Sequence, residues 1–219
     1  MKVYRQDLVS YPSPLLAAPE SQPALPPGKP VDVFELSRHK ALLPVPDVRQ
    51  ATDYTCGAAS LQAILAYYGV RDDSESVLAQ ELHTDPQFGT DTSDIVRVAR
   101  ASGLAAEQRE GMTLHDLEEL VLRRVPVMVA YQAWRDEDAT GPWANEWERG
   151  HYSVVIGLDA ENVYLEDPVL IGEVGFIPRA EFLERWHDVD RNDRRLNQIG
   201  IVITSEKPPH ALNRASRIG

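Results

Sequence analysis

The chain has 219 residues, 43% of them hydrophobic, with a formal net charge of −12 and a single cysteine. That length and apolar content suit one globular domain, or one domain plus a tail. The acidic balance, without a basic cluster to displace counterions, argues against nucleic-acid binding through phosphates. Solubility is its simplest reading. One thiol makes neither an internal disulfide nor a thiolate metal site, and the lack of cystine pairs fits a reducing compartment. No segment reaches the roughly 18 continuous apolar residues of a membrane helix, and Met1 to Asp7 is not followed by the apolar core of a secretory signal. A cytoplasmic location is therefore expected, with no membrane insertion.

Residues 11–30 hold Pro12, Pro14, Pro19, Pro23, Pro26, Pro27 and Pro30, a density that excludes helix and inner strand. We expect a Pro-rich N-terminal extension over 1–44, loosely held or docked like an inhibitory pro-segment. A domain over 45–205 follows. The stretch 206–219, with Pro208-Pro209 and several basic residues, reads as a frayed tail.

Within the domain, helices come first. Thr55 is placed to cap a helix from Cys56 to Tyr68, with Ala59, Leu61, Ile64, Leu65 and Tyr68 largely on one face and Gly69 as its stop. Ser74 caps a second helix ending at Leu82. Thr92 or Ser93 opens a third, which runs to Ala101 and is closed by Gly103. Thr113 caps a fourth, from Leu114 to Val121. From Pro126 the pattern turns to strands: 127–131, 152–158, 162–166, 175–178 and 199–203. Asp159-Ala160-Glu161 forms a hairpin turn between the second and third, and 179–186 a short helix. Helices followed by an antiparallel sheet is an α+β order.

Cys56 opens the first helix, where unpaired backbone N–H groups and the positive end of the dipole favour thiolate over thiol. The small residues Gly57-Ala58-Ala59-Ser60 let a backbone or substrate approach closely. A cysteine nucleophile needs a base, a group to orient that base, and donors for the oxyanion. Six histidines are available. His39 and His210 lie in the two terminal stretches, His115 follows a cap, His83 ends a polar helix, and His187 stands near a charged loop. His151 opens an apolar strand directly after Gly150, where the ladder would hold its backbone. Pairing about a turn near Ala160 brings 151–153 roughly opposite 167–169, so Asp167, before Pro168, is placed to orient His151. Gln50, six positions before Cys56, can fold back to offer its amide beside the Cys56 N–H.

Three stretches, Gln50 with Tyr54-Thr55-Cys56-Gly57-Ala58-Ala59-Ser60, Gly150-His151-Tyr152-Ser153-Val154-Val155-Ile156-Gly157, and Glu166-Asp167-Pro168, resemble the bacteriocin-processing cysteine peptidase family. Gly89-Thr90 before a helix adds to the likeness, which spans roughly residues 45 to 205. These are papain-like enzymes that cleave leader peptides after paired glycines. The resemblance implies a papain-like fold, with Cys56 as nucleophile, His151 as general base and acid, Asp167 as orienter and Gln50 in the oxyanion hole. Many family members belong to peptide-exporting transporters, whereas this sequence shows neither membrane spans nor a Walker motif. Paired-glycine cleavage therefore does not carry over, and a stand-alone C39-like domain is expected.

Trp134, Trp143 and Trp147 lie in the loop before His151, among acidic residues. They either border a substrate cleft or pack the loop onto the domain. No His/Asp/Glu cluster shows metal-ligand spacing, and no cofactor is expected. The leading expectation is a thiol hydrolase acting on a peptide or protein substrate. Acyl transfer through the same residues, or a non-catalytic peptide-binding module, are the alternatives.

Overall fold

The computed structural model describes residues 42–135, 139–207 and 209. The Pro-rich run, His39, His210 and most of the expected tail lie outside these residues. The first described residues, Leu42 and Leu43, fall inside the expected extension yet pack on the domain: the Leu43 N–H donates to the Ile156 carbonyl at 2.8 Å.

Helix α1 is Cys56–Tyr68, with the expected bounds. Gly69 ends it at φ 63, donating its N–H to the carbonyls of Leu65 and Ala66. Two local expectations change. The helix is enclosed on nearly every side, with Ala58, Ala59, Leu61, Ala63, Ile64 and Tyr67 all at 0% exposure, because its small residues let neighbours close in all round. Thr55 occupies the cap position but makes no side-chain cap. Its hydroxyl instead exchanges hydrogen bonds with Thr52, accepting from the Thr52 N–H at 3.1 Å and donating to the Thr52 carbonyl at 3.1 Å. No side chain therefore caps the N-terminal turn of α1.

Helix α2 is Glu75–Glu81 and α3 is Thr92–Ala101. The cap of α3 is Asp91, one residue earlier than expected, accepting from the Ser93 N–H at 2.9 Å. A carboxylate at that position reaches the first-turn N–H groups that the Thr92 hydroxyl, already inside the helix, does not. Helix α4 is Leu114–Leu122, closed by a capping box between Thr113 and Asp116.

Strand β1 is Ala105–Arg109, β2 Val127–Gln132, β3 Gly150–Leu158, β4 Asn162–Glu166 and β5 Gly175–Pro178. Helix α5, Arg179–Arg185, precedes the short strands β6, His187–Val189, and β7, Arg195–Asn197, and then β8, Gly200–Thr204. Six strands form one sheet in the order β1-β8-β2-β3-β4-β5, with every neighbouring pair antiparallel. The α+β architecture is as expected. The β1 edge and the separate β6–β7 hairpin were not anticipated. Strand β1 buries only Ala106, and three-residue strands have too few alternations to show a period of two.

Strand β2 is buried along its whole length and β3 nearly so. On one face α5 supplies Phe182, and Trp186 follows it, both essentially fully buried. A register shift between Val155 and Gly157 interrupts the β3–β4 ladder. The Ile156 carbonyl there receives Leu43, and the Leu42 side chain fills the space over Gly157 that any Cβ would occupy. From this anchor, residues 42–50 form a strap along β3 and β4. Val48 N–H donates to Glu166 Oε1 at 3.1 Å and Gln50 N–H to the Pro168 carbonyl at 3.0 Å. The strap delivers the chain to the start of α1.

Glu166 holds this strap from a buried position, and its Oε2 has no hydrogen-bond partner among the described residues. Burial pushes its carboxyl up to about 8; the Val48 N–H opposes this, while Asp47 and Asp167 add to it. A carboxyl raised on folding contributes stability that is full below its ordinary value and is lost as pH rises through the folded value. Glu166→Gln keeps the acceptor for Val48 without an ionisable proton. The variant should therefore gain on wild type between pH 5 and pH 9 by on the order of 3 kcal/mol, measured by urea unfolding. A stability difference that stays constant over that range would show that Glu166 is not folded as a neutral acid.

Candidate active site

Three elements meet at one end of the sheet: the start of α1, the start of β3 and the end of β4. Cys56 is the first residue of α1, His151 the second of β3, and Asp167 directly follows β4. The register pairs Val154 with Glu166. Extending it puts Ser153 opposite Asp167 and His151 on the diagonal, within reach of a long side chain. His151 Nε2 lies 3.0 Å from Asp167 Oδ2. With Nε2 directed at the carboxylate, Nδ1 is the ring nitrogen left for the Cys56 sulfur. All three side chains are buried, at 7%, 6% and 3% exposure.

Asp167 is held by four donors. Ser153 Oγ at 2.7 Å, Tyr131 Oη at 3.0 Å and His151 share Oδ2, while the Val169 N–H reaches Oδ1 at 2.9 Å. Burial raises the Asp167 carboxyl, but the hydrogen bonds and charge of His151, with those of Ser153 and Val169, bring it below its ordinary value. Tyr131 is kept firmly protonated by burial and by the Asp167 charge. For His151, burial favours the neutral ring. The negative charge that Cys56 carries when ionised and the hydrogen bonds to Asp167 and Cys56 outweigh it, so the imidazole titrates above its ordinary value. An imidazolium held beside a sulfur and fixed by a carboxylate is an arrangement that activates a thiol.

Behind the sulfur, the backbone is packed without slack. A Cβ at Gly57 would lie 2.7 Å from Thr90 Cβ and 3.3 Å from the Tyr152 ring. Tyr152 Oη in turn donates to the Thr90 carbonyl at 3.1 Å. Gln50 stands on the strap, and its Nε2 donates to the Thr52 carbonyl at 2.8 Å. Its Oε1 is buried without a partner among the described residues.

The loop tryptophans separate into two groups. Trp143 is sandwiched between the guanidinium groups of Arg135 and Arg185, at 4.0 and 3.6 Å from its ring centre. The Trp147 ring lies tilted against that of His187, with centres 4.1 Å apart, and has the Arg195 guanidinium over it at 4.4 Å. Both pack the loop onto the domain. Trp134, just beyond β2, is 50% exposed and holds a left-handed backbone, φ 54. His187 spends Nε2 on the Glu146 carbonyl, and His83 and His115 are exposed. Sequence reasoning missed Tyr131 and Ser153. Ser153 stands two residues after His151, on the same face of a strand, so the period of two carried a signal for it.

Among the described residues no group of His, Cys, Asp or Glu is placed to hold a metal ion, and no helix is long and apolar enough to cross a membrane. Residues 42–192 match the model of the Peptidase_C39 like family. The chain belongs to that family. It is 29% identical over 143 residues to the transport/processing ATP-binding protein ComA of Streptococcus pneumoniae, a match covering 64% of this chain and 17% of that protein. The chain thus spans under a fifth of that relative's length. A match of 30% identity over 123 residues to an uncharacterised protein of Methanothermobacter marburgensis covers 56% of this chain and 71% of that one. Among solved structures, one assigned as a C39-like peptidase from Bacillus anthracis superposes with a TM-score of 0.57 at 22% identity, covering 77% of this chain and 98% of its own. The peptidase domain of Streptococcus ComA superposes with a TM-score of 0.52 at 19% identity, covering 73% and 97%. The fold is therefore that of the C39 peptidases, in agreement with the papain-like α+β expectation.

Ser153→Ala removes one of the donors to a buried carboxylate. It should cost about 1–2 kcal/mol of stability in urea unfolding at neutral pH, and the loss should shrink toward pH 3 as Asp167 takes up a proton. A loss that does not depend on pH would mean that the hydroxyl serves packing alone.

Proposed function

We propose that the chain is a cysteine peptidase that cleaves a peptide or related amide bond through a thioester acyl-enzyme. The observation that carries this reading is the buried relay Cys56–His151–Asp167, with one ring nitrogen on the carboxylate and the other left for the sulfur. Membership of the C39-like family supports it, as does the ComA peptidase domain among structures of the same fold.

The Cys56 sulfur attacks the carbonyl carbon, forming a C–S bond and moving the C=O electron pair onto oxygen. The His151 imidazolium passes its proton to the leaving nitrogen as the C–N bond breaks. Water then attacks the thioester, giving a proton to His151, and the acid is released as the C–S bond breaks. Asp167 fixes the ring and stabilises its charge. Its four hydrogen bonds leave the carboxylate one orientation, so the ring cannot turn away from the sulfur.

For the oxyanion, the first N–H groups of α1 point outward without intrahelical partners, as at any helix start, and Thr55 caps none of them. Gln50 is the second donor in this reading, through the N–H of its amide that Thr52 does not take. Trp134, exposed at the end of β2, is the loop tryptophan best placed to meet a peptide. Trp143 and Trp147 would support it from within the loop.

A peptide-library cleavage profile of wild type against Cys56→Ala, His151→Ala and Asp167→Asn tests the assignment. Cys56→Ala and His151→Ala should reduce cleavage by at least about a thousandfold and Asp167→Asn by about tenfold or more. Activity should persist on the alkaline side to a pH above the ordinary value of histidine, because His151 is the proton donor and is raised. Equal cleavage by wild type and Cys56→Ala would overturn the mechanism.

A further inference from the structure

Tyr131 touches both partners of the His151–Asp167 hydrogen bond. Strands β2 and β3 pair it directly with His151, so the two side chains stand beside each other on one face of the sheet. Their rings meet in an edge arrangement, with centres 5.8 Å apart and planes at 71°. The phenol then reaches past the imidazole to the same acceptor. Tyr131 Oη donates to Asp167 Oδ2 at 3.0 Å, the oxygen that also lies 3.0 Å from His151 Nε2. Carboxylate, imidazole and phenol thus close a triangle in which each meets the other two. Ser153 cannot stand in for the phenol. Its hydroxyl already gives its single hydrogen to Oδ2 at 2.7 Å. The 3.0 Å contact between the Tyr131 and Ser153 oxygens therefore carries no hydrogen while both serve the carboxylate.

Tyr131 is in turn held from behind. Its ring centre lies 6.2 Å from that of Phe182, and Phe182 lies 5.0 Å from Trp186, both within the range of attractive aromatic pairs. Trp186 Nε1 donates to the Ile199 carbonyl at 2.8 Å, which ties the far end of this column to the residue before β8. Tyr131, Phe182 and Trp186 are all buried, and in a close-packed interior none can swing away without opening a void. A column of rings therefore runs from the end of α5 to the imidazole.

The geometry points to Tyr131 as a positioning residue for His151: its ring and its hydroxyl together hold the imidazole plane, with Nε2 on Asp167 and Nδ1 toward Cys56. This rests on the relay proposed above for the role of His151. A hydrogen bond to one carboxylate oxygen fixes where Nε2 points but lets the ring rock about that bond. A second ring packed against the first removes that freedom, and the Phe182–Trp186 column keeps the second ring in place. The two contributions are separable. Tyr131→Phe keeps the wall and the column and loses only the hydroxyl, whereas Tyr131→Leu loses both.

The test follows the Nε2-bound hydrogen of His151 in the full-length protein labelled with 15N-histidine, assigned by comparison with His151→Gln. Each variant is studied well below its own melting temperature. Held against Asp167, this hydrogen should exchange slowly with water in wild type. In Tyr131→Phe its exchange should be about tenfold faster, the effect of one lost hydrogen bond to a charged group. In Tyr131→Leu it should be about a hundredfold faster, as expected when a reacting group loses its alignment. For a peptide that wild type cleaves, kcat should fall by about the same factors with KM within about twofold. Exchange at the wild-type rate in Tyr131→Phe would overturn the proposal, because a tyrosine that serves packing alone lowers the melting temperature without freeing the imidazole. If Tyr131→Leu does not fold, the near-isosteric Tyr131→Phe decides. If wild type cleaves no peptide, the peptidase reading falls and the exchange rates still decide this one.

Discussion

The Asp167 carboxylate, buried at the end of β4 and filled with donors, is the constraint around which this end of the molecule is built. An unpaired buried carboxylate would shed its charge by taking up a proton. Four hydrogen bonds instead keep Asp167 below its ordinary value. The four donors answer to three different demands on the chain. Tyr131 requires β2 beside β3, Ser153 and His151 require the β3–β4 register, and Val169 requires a turn immediately after Pro168. A one-residue slip between β3 and β4 would send Ser153 and His151 to the opposite face together. The register that buries the sheet is therefore the register that arms the histidine.

The other half of the site comes from a helix that is unusual in having no free face. Helix α1 is buried almost all round because its first turns carry Gly57, Ala58, Ala59 and Ser60, and Thr90 fills the space over Gly57. Ser60 Oγ donates to the Tyr152 carbonyl at 3.1 Å, fastening the helix to the strand that carries His151. The sulfur and the imidazole thus sit on two elements that are locked to each other about one helical turn from Cys56. In the peptidase reading proposed above, such a lock would keep the thiol–imidazole distance constant when a substrate binds.

Much of this was legible in the sequence where local chemistry decides. Gly69 ends α1 and Thr113 starts the fourth helix because a left-handed stop and a capping box depend on a few adjacent residues. The β3–β4 hairpin was legible because Asp159 turns the chain between two apolar runs, accepting from the N–H groups of Glu161 and Asn162. What escaped depends on distant partners. Strand β1 is a strand because β8 offers it an edge, not because Ala105-Ala106-Glu107-Gln108-Arg109 alternates. Trp143 and Trp147 read equally well as cleft or packing residues until Arg135, Arg185, His187 and Arg195 are seen against them. Tyr131 looked like one more apolar strand residue, and only the fold brings its hydroxyl to Asp167.

The acidic residues show the same limit most sharply. Sequence composition counts Glu166, Asp167 and Asp188 alike, as three of the negative charges behind the net −12. In the fold they differ: Asp167 is lowered, Glu166 is pushed up to about 8 and Asp188 up to about 7. The difference follows from how many donors each has been given. Asp167 has four, Asp188 a backbone N–H and a long amide contact, and Glu166 one backbone N–H. Burial alone favours the neutral acid in all three, and donors reverse it only where there are enough of them. The carboxylate given the most donors is therefore the one hydrogen-bonded to the ring of His151, while Glu166 and Asp188, with fewer, are the acids that burial holds toward the neutral form.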